Sequence, residues 1–466
     1  MERTQVKRDL AILLIISAFI LLWNLGTGSL NSWDEALYAE VSREILETGN
    51  WIDLSWGGAQ WSDKPPLYMW VTALFYRSLG INEFSVRLFS SLCGIGVVLL
   101  TYLLALKLLY PRQAAFSSSL ILLTTWHFIL YSKNGTLDIA LTFFMLSSIY
   151  LFMLGENSML KAVGKKRAIN VCLFLSPIAF ALAFLTKGMG AILIPMILFL
   201  YLLFKKELKI ILNPSLIAGM IVSLTILIWW HWLAISHYGE DFVGGYFIKH
   251  IFTRTTKAVE GHTGDFFTYF GVIPNKGRPW AGLGLVVLPY LLWRLVKYKE
   301  NKHLLVLIWA GTVLLLFSVV KTKLHWYVIP LYPALSISSG WVIDKVFKKY
   351  TTAMICTLAF CSLIYLSADK GIFDLDYSPK IKKISIEVKN LLPEDKNLYL
   401  YDISDPGMQF YFGDIGKNIH SKEDVDMLTK NKDVFIVIKK EDLKRLPQIR
   451  YADLYSDDTF IFIKTK

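Results

Sequence analysis

The sequence predicts a polytopic α-helical membrane protein of about eleven spans that ends in a small soluble α/β domain. Hydrophobic residue types make up 54% of the 466 residues and charged types only 18%, below the roughly 25% charged of a typical soluble domain. The charges are also uneven, with 52 charged residues among the 369 positions 1–369 and 34 among the 97 positions 370–466. These observations predict a transmembrane domain over 1–369 and a water-soluble domain over 370–466.

The transmembrane domain is divided into apolar runs that are long enough to cross a bilayer. About 18 helical residues span the roughly 30 Å hydrocarbon core. The eleven candidate spans lie near 10–28, 86–107, 113–131, 138–155, 168–186, 188–204, 212–236, 279–296, 303–320, 325–344 and 350–368. Basic residues concentrate in every second connection, which predicts a cytoplasmic N-terminus. The loops 29–85 and 237–278 and the C-terminal domain then lie outside.

The first outer loop begins with a predicted amphipathic helix. Leu37, Val41 and Ile45 recur every four residues, so we expect a helix that lies on the membrane with Asp34 and Glu35 at its N-terminus. Acidic residues at this position commonly cap a helix, and a capping role and a chemical role are both open at this point. Residues 66–79 are apolar as well, but a crossing there would invert the charge pattern, which predicts a second interfacial segment.

The C-terminal domain shows alternating apolar residues over 398–401, 434–438 and 460–463, separated by polar, helix-like stretches. This pattern predicts a small α/β domain. It contains no glycine-rich phosphate loop, so we expect no nucleotide cofactor. The net charge is +12. The basic residues lie between hydrophobic segments and do not form a basic face with exposed aromatics, which argues against a nucleic-acid partner.

Polar residues cluster at the predicted outer ends of the spans. Asp63 and Lys64 precede two prolines, which stiffen the backbone, and Asp138 begins the fourth span. Lys187, Lys321 and Lys323 lie at corners between spans, where single lysines most often only extend to the membrane surface. The loop 237–278 adds further groups, namely Lys249, His250, Arg254, Lys257 and His262. Together these residues suit a phosphate-bearing lipid, an acid–base step and a metal ligated by histidine.

These motifs resemble the lipid-linked-sugar glycosyltransferases of the GT-C superfamily, specifically the bacterial aminoarabinose transferases and the protein mannosyltransferases. The resemblance covers most of residues 1–345, with the motifs in order. It runs through Asp34-Glu35, Tyr38 to Glu44, Gly49-Asn50-Trp51, Asp63-Lys64-Pro65-Pro66-Leu67, Leu137-Asp138, Leu185-Thr186-Lys187-Gly188 with Pro195, and Lys323-Leu324 with Tyr327 and Pro330.

The resemblance implies an inverting transfer of a sugar from a polyprenyl phosphate such as undecaprenyl phosphate. The acceptor would be lipid A, another glycan or a protein at the outer face of the cytoplasmic (inner) membrane. Asp34 matches the family's general base, and we also count the adjacent Glu35 as a catalytic candidate. Asp138 matches a second acidic position that orients the acceptor or supports the base. The residues assigned to the donor phosphate are Lys64, Arg254, Tyr327 and Lys187.

The resemblance also suggests a divalent metal, with one departure from the family pattern. The aminoarabinose branch has Glu-Lys-Pro where this chain has Asp63-Lys64-Pro65, and that acid resembles a zinc ligand that pairs with a later histidine. Asp63 keeps the carboxylate chemistry, so zinc is an option, with His250 or His262 as its partner.

Two other classes of function compete with a glycosyltransferase. A transporter or flippase of a lipid-linked saccharide should carry ionisable residues near the bilayer midplane, on broken helices in internal repeats. The acids here lie at the outer boundary and no repeat is visible. A membrane-anchored binding protein would use mainly its C-terminal domain, and the ordered outer-loop motifs count against that alternative.

Overall fold

The computed structural model describes residues 2–161, 170–246, 257, 261–369, 372–403, 405–413, 416–419, 421, 424, 425, 427, 433–444 and 450–466. Its first part is a body of fifteen described helices. They are α1 (Glu2–Leu22), α2 (Asp34–Thr48), α3 (Leu67–Leu79), α4 (Glu83–Lys107), α5 (Arg112–Leu123), α6 (Trp126–Lys133), α7 (Leu137–Lys161), α8 (Val171–Lys187), α9 (Leu193–Lys205), α10 (Pro214–Phe242), α11 (Thr268–Lys276), α12 (Ala281–Tyr298), α13 (Leu304–Val319), α14 (Tyr332–Phe347) and α15 (Thr351–Leu366).

The membrane character of this body is confirmed. Among the described residues, seven helical stretches are long and apolar enough to cross a membrane, or eight if one bent pair counts as a span. Two stretches, Val171–Lys205 and His325–Leu366, contain 35 and 42 residues, about twice the ~20 residues that one crossing needs. Each contains two of the predicted spans joined at a short 3-10 turn, Gly188–Ile192 or Lys348–Tyr350. The number of eleven crossings stays a prediction.

The predicted span 113–131 differs from expectation because it is bent. Helices α5 and α6 meet at an angle of 62°, with Thr124 and Thr125 at the bend. The Thr124 hydroxyl donates to the carbonyl of Leu120 (2.7 Å) and the Thr125 hydroxyl to that of Ile121 (2.8 Å). Threonine hydroxyls that bond back to the preceding turn compete with the helical ladder and favour a bend. Apolar periodicity does not reveal this competition.

The predicted amphipathic helix of the first loop is α2, and it begins at Asp34 as expected. Val41 and Ile45 are buried, but so are polar residues on the other side of the helix, including Ser42 and Arg43. The reason is that a helix of the C-terminal domain, α17 (Pro406–Phe412), packs against α2. The second predicted interfacial segment is α3, which packs against α2 and α4.

The C-terminal domain contains a five-stranded sheet, which confirms the predicted α/β class. The strands are β3 (Leu398–Tyr401), β4 (Gly416–Ile419), β5 (Phe435–Lys439), β6 (Tyr451–Ser456) and β7 (Phe460–Thr465), and the first loop holds a small hairpin of β1 (Ser55–Trp56) and β2 (Ala59–Gln60). The order across the sheet is β4-β3-β5-β7-β6, with β3 parallel to β4 and β5. Two more described helices, α16 (Pro379–Leu391) and α18 (Lys440–Leu443), accompany α17.

The segment 372–378 joins the two parts of the chain and is bonded to the first loop. Asp376 accepts hydrogen bonds from the backbone and the hydroxyl of Ser29 (2.9 and 2.5 Å). A side chain at Gly28, whose φ is +76°, would come 2.6 Å from the backbone of 375–376, so this contact requires glycine. The Tyr377 hydroxyl donates to Asn134 (2.9 Å), and burial raises the pKa of Tyr377, which keeps the phenol a donor.

Candidate active site

Two carboxylates approach each other at one end of the helical body, which we call the site end. Asp34 is the first residue of α2, and Asp138 lies in the first turn of α7, 5% exposed. Lys187, the last residue of α8, forms an ion pair with the Asp138 carboxylate. Asp34 and Lys64 lie close enough to Asp138 for their charges to interact with it. Four segments that are distant in sequence therefore contribute charged groups to one place.

The Asp63–Pro66 segment reaches this place through a close backbone approach. Gly188, with φ +58°, breaks the helix after Lys187. A side chain at Gly188 would come 3.7 Å from Cγ of Pro65 and 2.6 Å from the hydroxyl of Tyr246. The positive φ and the close Tyr246 hydroxyl therefore favour glycine at this corner, and Pro65 brings the loop with Lys64 beside it. The Lys64 ammonium donates to the carbonyl of Asp63 at 3.2 Å.

Glu35 occupies a different environment from its neighbour Asp34. Its side chain is fully buried and forms an ion pair with Arg87, whose side chain is also fully buried (Nε to Oε1, 2.8 Å). The carboxylate also accepts hydrogen bonds from the backbone N–H groups of Asn31 and Gly135, both at 2.8 Å. Both carboxylate oxygens are thus engaged with the protein. This geometry favours the structural role that the sequence left open for Glu35.

Tyr327 and His262 lie near the corner that follows α13. The Tyr327 ring packs 4.8 Å from the ring of Phe317, measured between centroids. The Lys323 ammonium donates to the carbonyls of Phe317 (2.8 Å) and Ser318 (2.6 Å), and burial lowers the pKa of Lys323. The Lys323 backbone N–H donates to the carbonyl of His262 at 3.0 Å. Lys323 therefore holds this corner together through these carbonyls and does not extend to the membrane surface, contrary to the simpler interpretation of the lysine.

Two of the predicted site residues, Arg254 and His250, lie outside the described residues, as does Lys249. Their predicted roles stay predictions. Asp63 and His262 are described, but within the described ranges no three His, Cys, Asp or Glu side chains gather so that they could hold a metal ion. The predicted zinc site of Asp63 with His250 or His262 therefore stays a prediction.

A polar cluster that was not predicted from the sequence lies at the bend between α5 and α6. His127 is fully buried, with Nδ1 2.6 Å from the Tyr332 hydroxyl and Nε2 3.0 Å from Nδ1 of His325. The Tyr131 ring packs against both histidine rings, at 4.9 and 6.0 Å between centroids. Tyr131 also lies within electrostatic range of Asp34 and Asp138. An ionisable residue inside an apolar run is a functional signal, and His127 carried that signal in the sequence.

Comparisons of sequence agree with the resemblance that the motifs indicated. The sequence profile of the dolichyl-phosphate-mannose-protein mannosyltransferases matches residues 11–238. An uncharacterised protein of Aquifex aeolicus is 28% identical over 370 residues, which cover 77% of this chain and 70% of that protein. The undecaprenyl phosphate-alpha-4-amino-4-deoxy-L-arabinose arabinosyl transferase of Edwardsiella ictaluri is 31% identical over 317 residues, 67% of this chain. The match spans 55% of that transferase's own length.

The fold agrees as well. The crystal structure of ArnT from Cupriavidus metallidurans bound to undecaprenyl phosphate superimposes with a TM-score of 0.79 at 19% sequence identity, and the match covers 97% of both chains. The predicted GT-C-type architecture with its C-terminal domain is therefore confirmed. The recognition of this chain as a membrane glycosyltransferase that resembles the aminoarabinose transferases and protein mannosyltransferases is confirmed too.

Proposed function

We propose that this chain, similar in sequence and fold to the aminoarabinose transferases and protein mannosyltransferases, moves a sugar from a polyprenyl phosphate to a lipid A, glycan or protein acceptor. The observation that carries the proposal is the meeting of Asp34, Asp138 and Lys187 at the site end, with Lys64 in electrostatic range. A general base and cations for a leaving phosphate are the two requirements of this transfer.

In the proposed reaction, the acceptor oxygen attacks the anomeric carbon of the sugar. The bond between that carbon and the phosphate oxygen breaks, and its electrons leave with the polyprenyl phosphate. Asp34 takes the acceptor proton, and Lys64, with Arg254 and Tyr327, stabilises the charge on the departing phosphate. Attack from the side opposite the phosphate inverts the anomeric configuration. No step of this proposal passes through a metal.

Asp138 and Glu35 have separate roles in this proposal. The ion pair with Lys187 fixes the direction of the Asp138 carboxylate, so that it orients the acceptor beside Asp34. Glu35 is a positioning residue, because its engaged carboxylate holds the first turn of α2 against Arg87 and Gly135. Lys187 is already paired with Asp138. Its contribution to binding the donor phosphate is therefore indirect, through the corner where it lies beside the loop that carries Lys64.

The topology follows from the same proposal. Nucleotide sugars are confined to the cytosol, so a site on the other side of the membrane needs a sugar donor carried by a lipid. The basic connections between spans put the N-terminus in the cytoplasm. The site end and the C-terminal domain then face the outside of the cytoplasmic membrane.

The test compares the wild type with Asp34→Asn, purified in lipid and incubated with polyprenyl-phosphate sugars and a membrane-lipid acceptor extract. We expect Asp34→Asn to lower sugar transfer by roughly 10²–10⁴-fold, the usual contribution of a general base, without loss of donor binding. Asp53→Asn is the matched control, since Asp53 is a carboxylate of the same loop that pairs with His237 at the surface. Mass spectrometry of the products identifies both the sugar and the acceptor.

The same experiment separates the transferase from a flippase. If the wild type transfers no sugar but moves the lipid-linked donor across the bilayer, the proposed reaction is wrong. If Asp34→Asn transfers sugar as fast as Asp53→Asn, the assignment of the base is wrong.

A further inference from the structure

The bend between α5 and α6 carries a tryptophan flanked by two cations. The Trp126 ring centroid lies 5.4 Å from the Lys276 ammonium and 4.7 Å from the central carbon of the Arg278 guanidinium. The Trp126 backbone N–H donates to the carbonyl of Arg278 at 2.9 Å. The end of α11 and the residues after it are thus fixed against the bend, and two positive charges meet one aromatic ring.

Two buried donors at this place lack an acceptor among the described residues. They are the indole Nε1 of Trp126 and the Nε of Arg278. Asp369 accepts only from the Nη2 of Arg278, at 2.8 Å. No carboxylate of the described chain forms an ion pair with Lys276. Buried donors are nearly always satisfied in native proteins, and a bound ion is one of the established reasons for an exception.

The histidine pair adds a third kind of donor beside the two cations. His325 lies within electrostatic range of Lys276 and of His262. If the Tyr332 hydroxyl donates to Nδ1 of His127, then Nε2 of His127 donates to Nδ1 of His325. His325 then carries its own proton on Nε2 and remains a donor.

This cluster lies beside the candidate active site but shares none of the groups assigned to the donor phosphate. Tyr131 packs 6.0 Å from the His325 ring and 6.3 Å from that of Trp326. The same tyrosine lies within electrostatic range of Asp34 and Asp138. Tyr131 therefore contacts the rings of His325 and Trp326 on one side and lies within electrostatic range of Asp34 and Asp138 on the other.

We propose that Trp126, Lys276, Arg278 and His325 form a second anion-binding subsite that takes a phosphate group. An ammonium, a guanidinium and neutral N–H donors together match the several oxygens and the double charge of a phosphate monoester. The inference rests on the proposed function, because it gives the transferase one subsite for the leaving phosphate and another for a phosphate on a substrate. That phosphate belongs to the acceptor, because the single phosphate of a polyprenyl-phosphate donor is the leaving group and occupies the first subsite.

The test measures binding without turnover. The full-length protein in detergent is titrated with three lipids, and its thermal stability is followed. The lipids are a phosphorylated disaccharide lipid, the same lipid after phosphatase treatment, and undecaprenyl phosphate. We expect Lys276→Gln to weaken binding of the phosphorylated disaccharide lipid by about tenfold, the loss typical of one charge-assisted contact, and Lys276→Arg to preserve it.

The control is Lys297→Gln, because the Lys297 ammonium lies over a tryptophan in the same way, 4.9 Å from the centroid of Trp293, at the other end of the body. A loss limited to the phosphorylated disaccharide lipid supports the subsite and assigns it to the acceptor. A loss for undecaprenyl phosphate overturns the second subsite, because these residues then belong to the site of the donor phosphate. Equal binding by Lys276→Gln, Lys297→Gln and the wild type overturns the subsite.

The transfer assay distinguishes this proposal from the proposed function. If sugar transfer depends on Asp34 while Lys276→Gln binds all three lipids as the wild type does, only the subsite is wrong. If the wild type transfers no sugar while Lys276→Gln loses binding of the phosphorylated disaccharide lipid, the subsite stands and the transferase reaction fails.

Discussion

Both ends of the helical body bury a carboxylate against a lysine, but among the described residues further charges gather around the pair only at the site end. At the site end, Asp138 pairs with Lys187, and the charges of Asp34 and Lys64 act on it. At the opposite end, Glu156 accepts from the Lys205 ammonium (2.7 Å) and from a tyrosine hydroxyl (3.2 Å). A buried ion pair by itself is therefore a structural device, and the convergence of separate segments is what marks the reaction site.

After Asp34, the largest effect should come from Asp138, because in the proposed reaction its position decides where the acceptor sits. We expect Asp138→Asn to lower sugar transfer by roughly 10²-fold, the scale of a misplaced reacting group, and to lower thermal stability as well, because the mostly buried Lys187 ammonium loses its partner. Initial rates of transfer in proteoliposomes check this. If Asp138→Asn lowers stability but the protein that remains folded transfers sugar at the wild-type rate, the Asp138–Lys187 pair is structural like the Glu156–Lys205 pair. The two ends of the body would then not differ in function.

Glu35 lies at the same end as Asp138 but should behave like a structural group. Glu35→Gln leaves the Arg87 guanidinium buried without a counter-charge, so we expect a loss of about 3–5 kcal/mol in the free energy of unfolding. Thermal unfolding in detergent measures the loss. Residual activity at low temperature should stay well above that of Asp34→Asn. Activity as low as that of Asp34→Asn in a folded Glu35→Gln protein would instead assign Glu35 to the chemistry.

The smallest effect should come from the opposite end. Glu156→Gln removes a fully buried carboxylate, but its partner Lys205 is 29% exposed and can be solvated. We expect a loss of about 1 kcal/mol in stability and an unchanged rate of transfer at low temperature. Measuring both the melting temperature and the initial rate of transfer separates an effect on stability from an effect on the reaction at each end of the body. A drop in rate comparable with that of Asp138→Asn would show that both ends serve the reaction.

Much of the architecture was predictable because it depends on local patterns. Apolar runs located the helices of the body, and residues 398–401 and 460–463 located two strands of the sheet. The four-residue spacing of Leu37, Val41 and Ile45 located α2 and put Asp34 at its start. The bend at Thr124 was not predicted, because it arises from side-chain hydrogen bonds that periodicity does not record.

The site was predictable to the extent that it uses recognisable motifs. Asp34, Asp138 and Lys187 were named from sequence, and the structure brings them together. Arg87 was missed, because nothing local predicts that an arginine in an apolar helix will meet Glu35, 52 positions away. Trp126 and Lys276 were missed for the same reason, since their contact joins residues 150 positions apart.

The bonds between the first loop and segment 372–378 have a consequence for how the protein is made. Ser29 leaves the ribosome almost 350 residues before Asp376, its hydrogen-bond partner. At the usual 5–20 residues per second, the loop that carries Asp34 waits roughly 20–70 s for the contact that seats it. During synthesis the nascent chain therefore inserts its helices before the first loop gains its bonds to segment 372–378. A chain truncated before residue 372 would lack the bonds to Ser29 and Asn134.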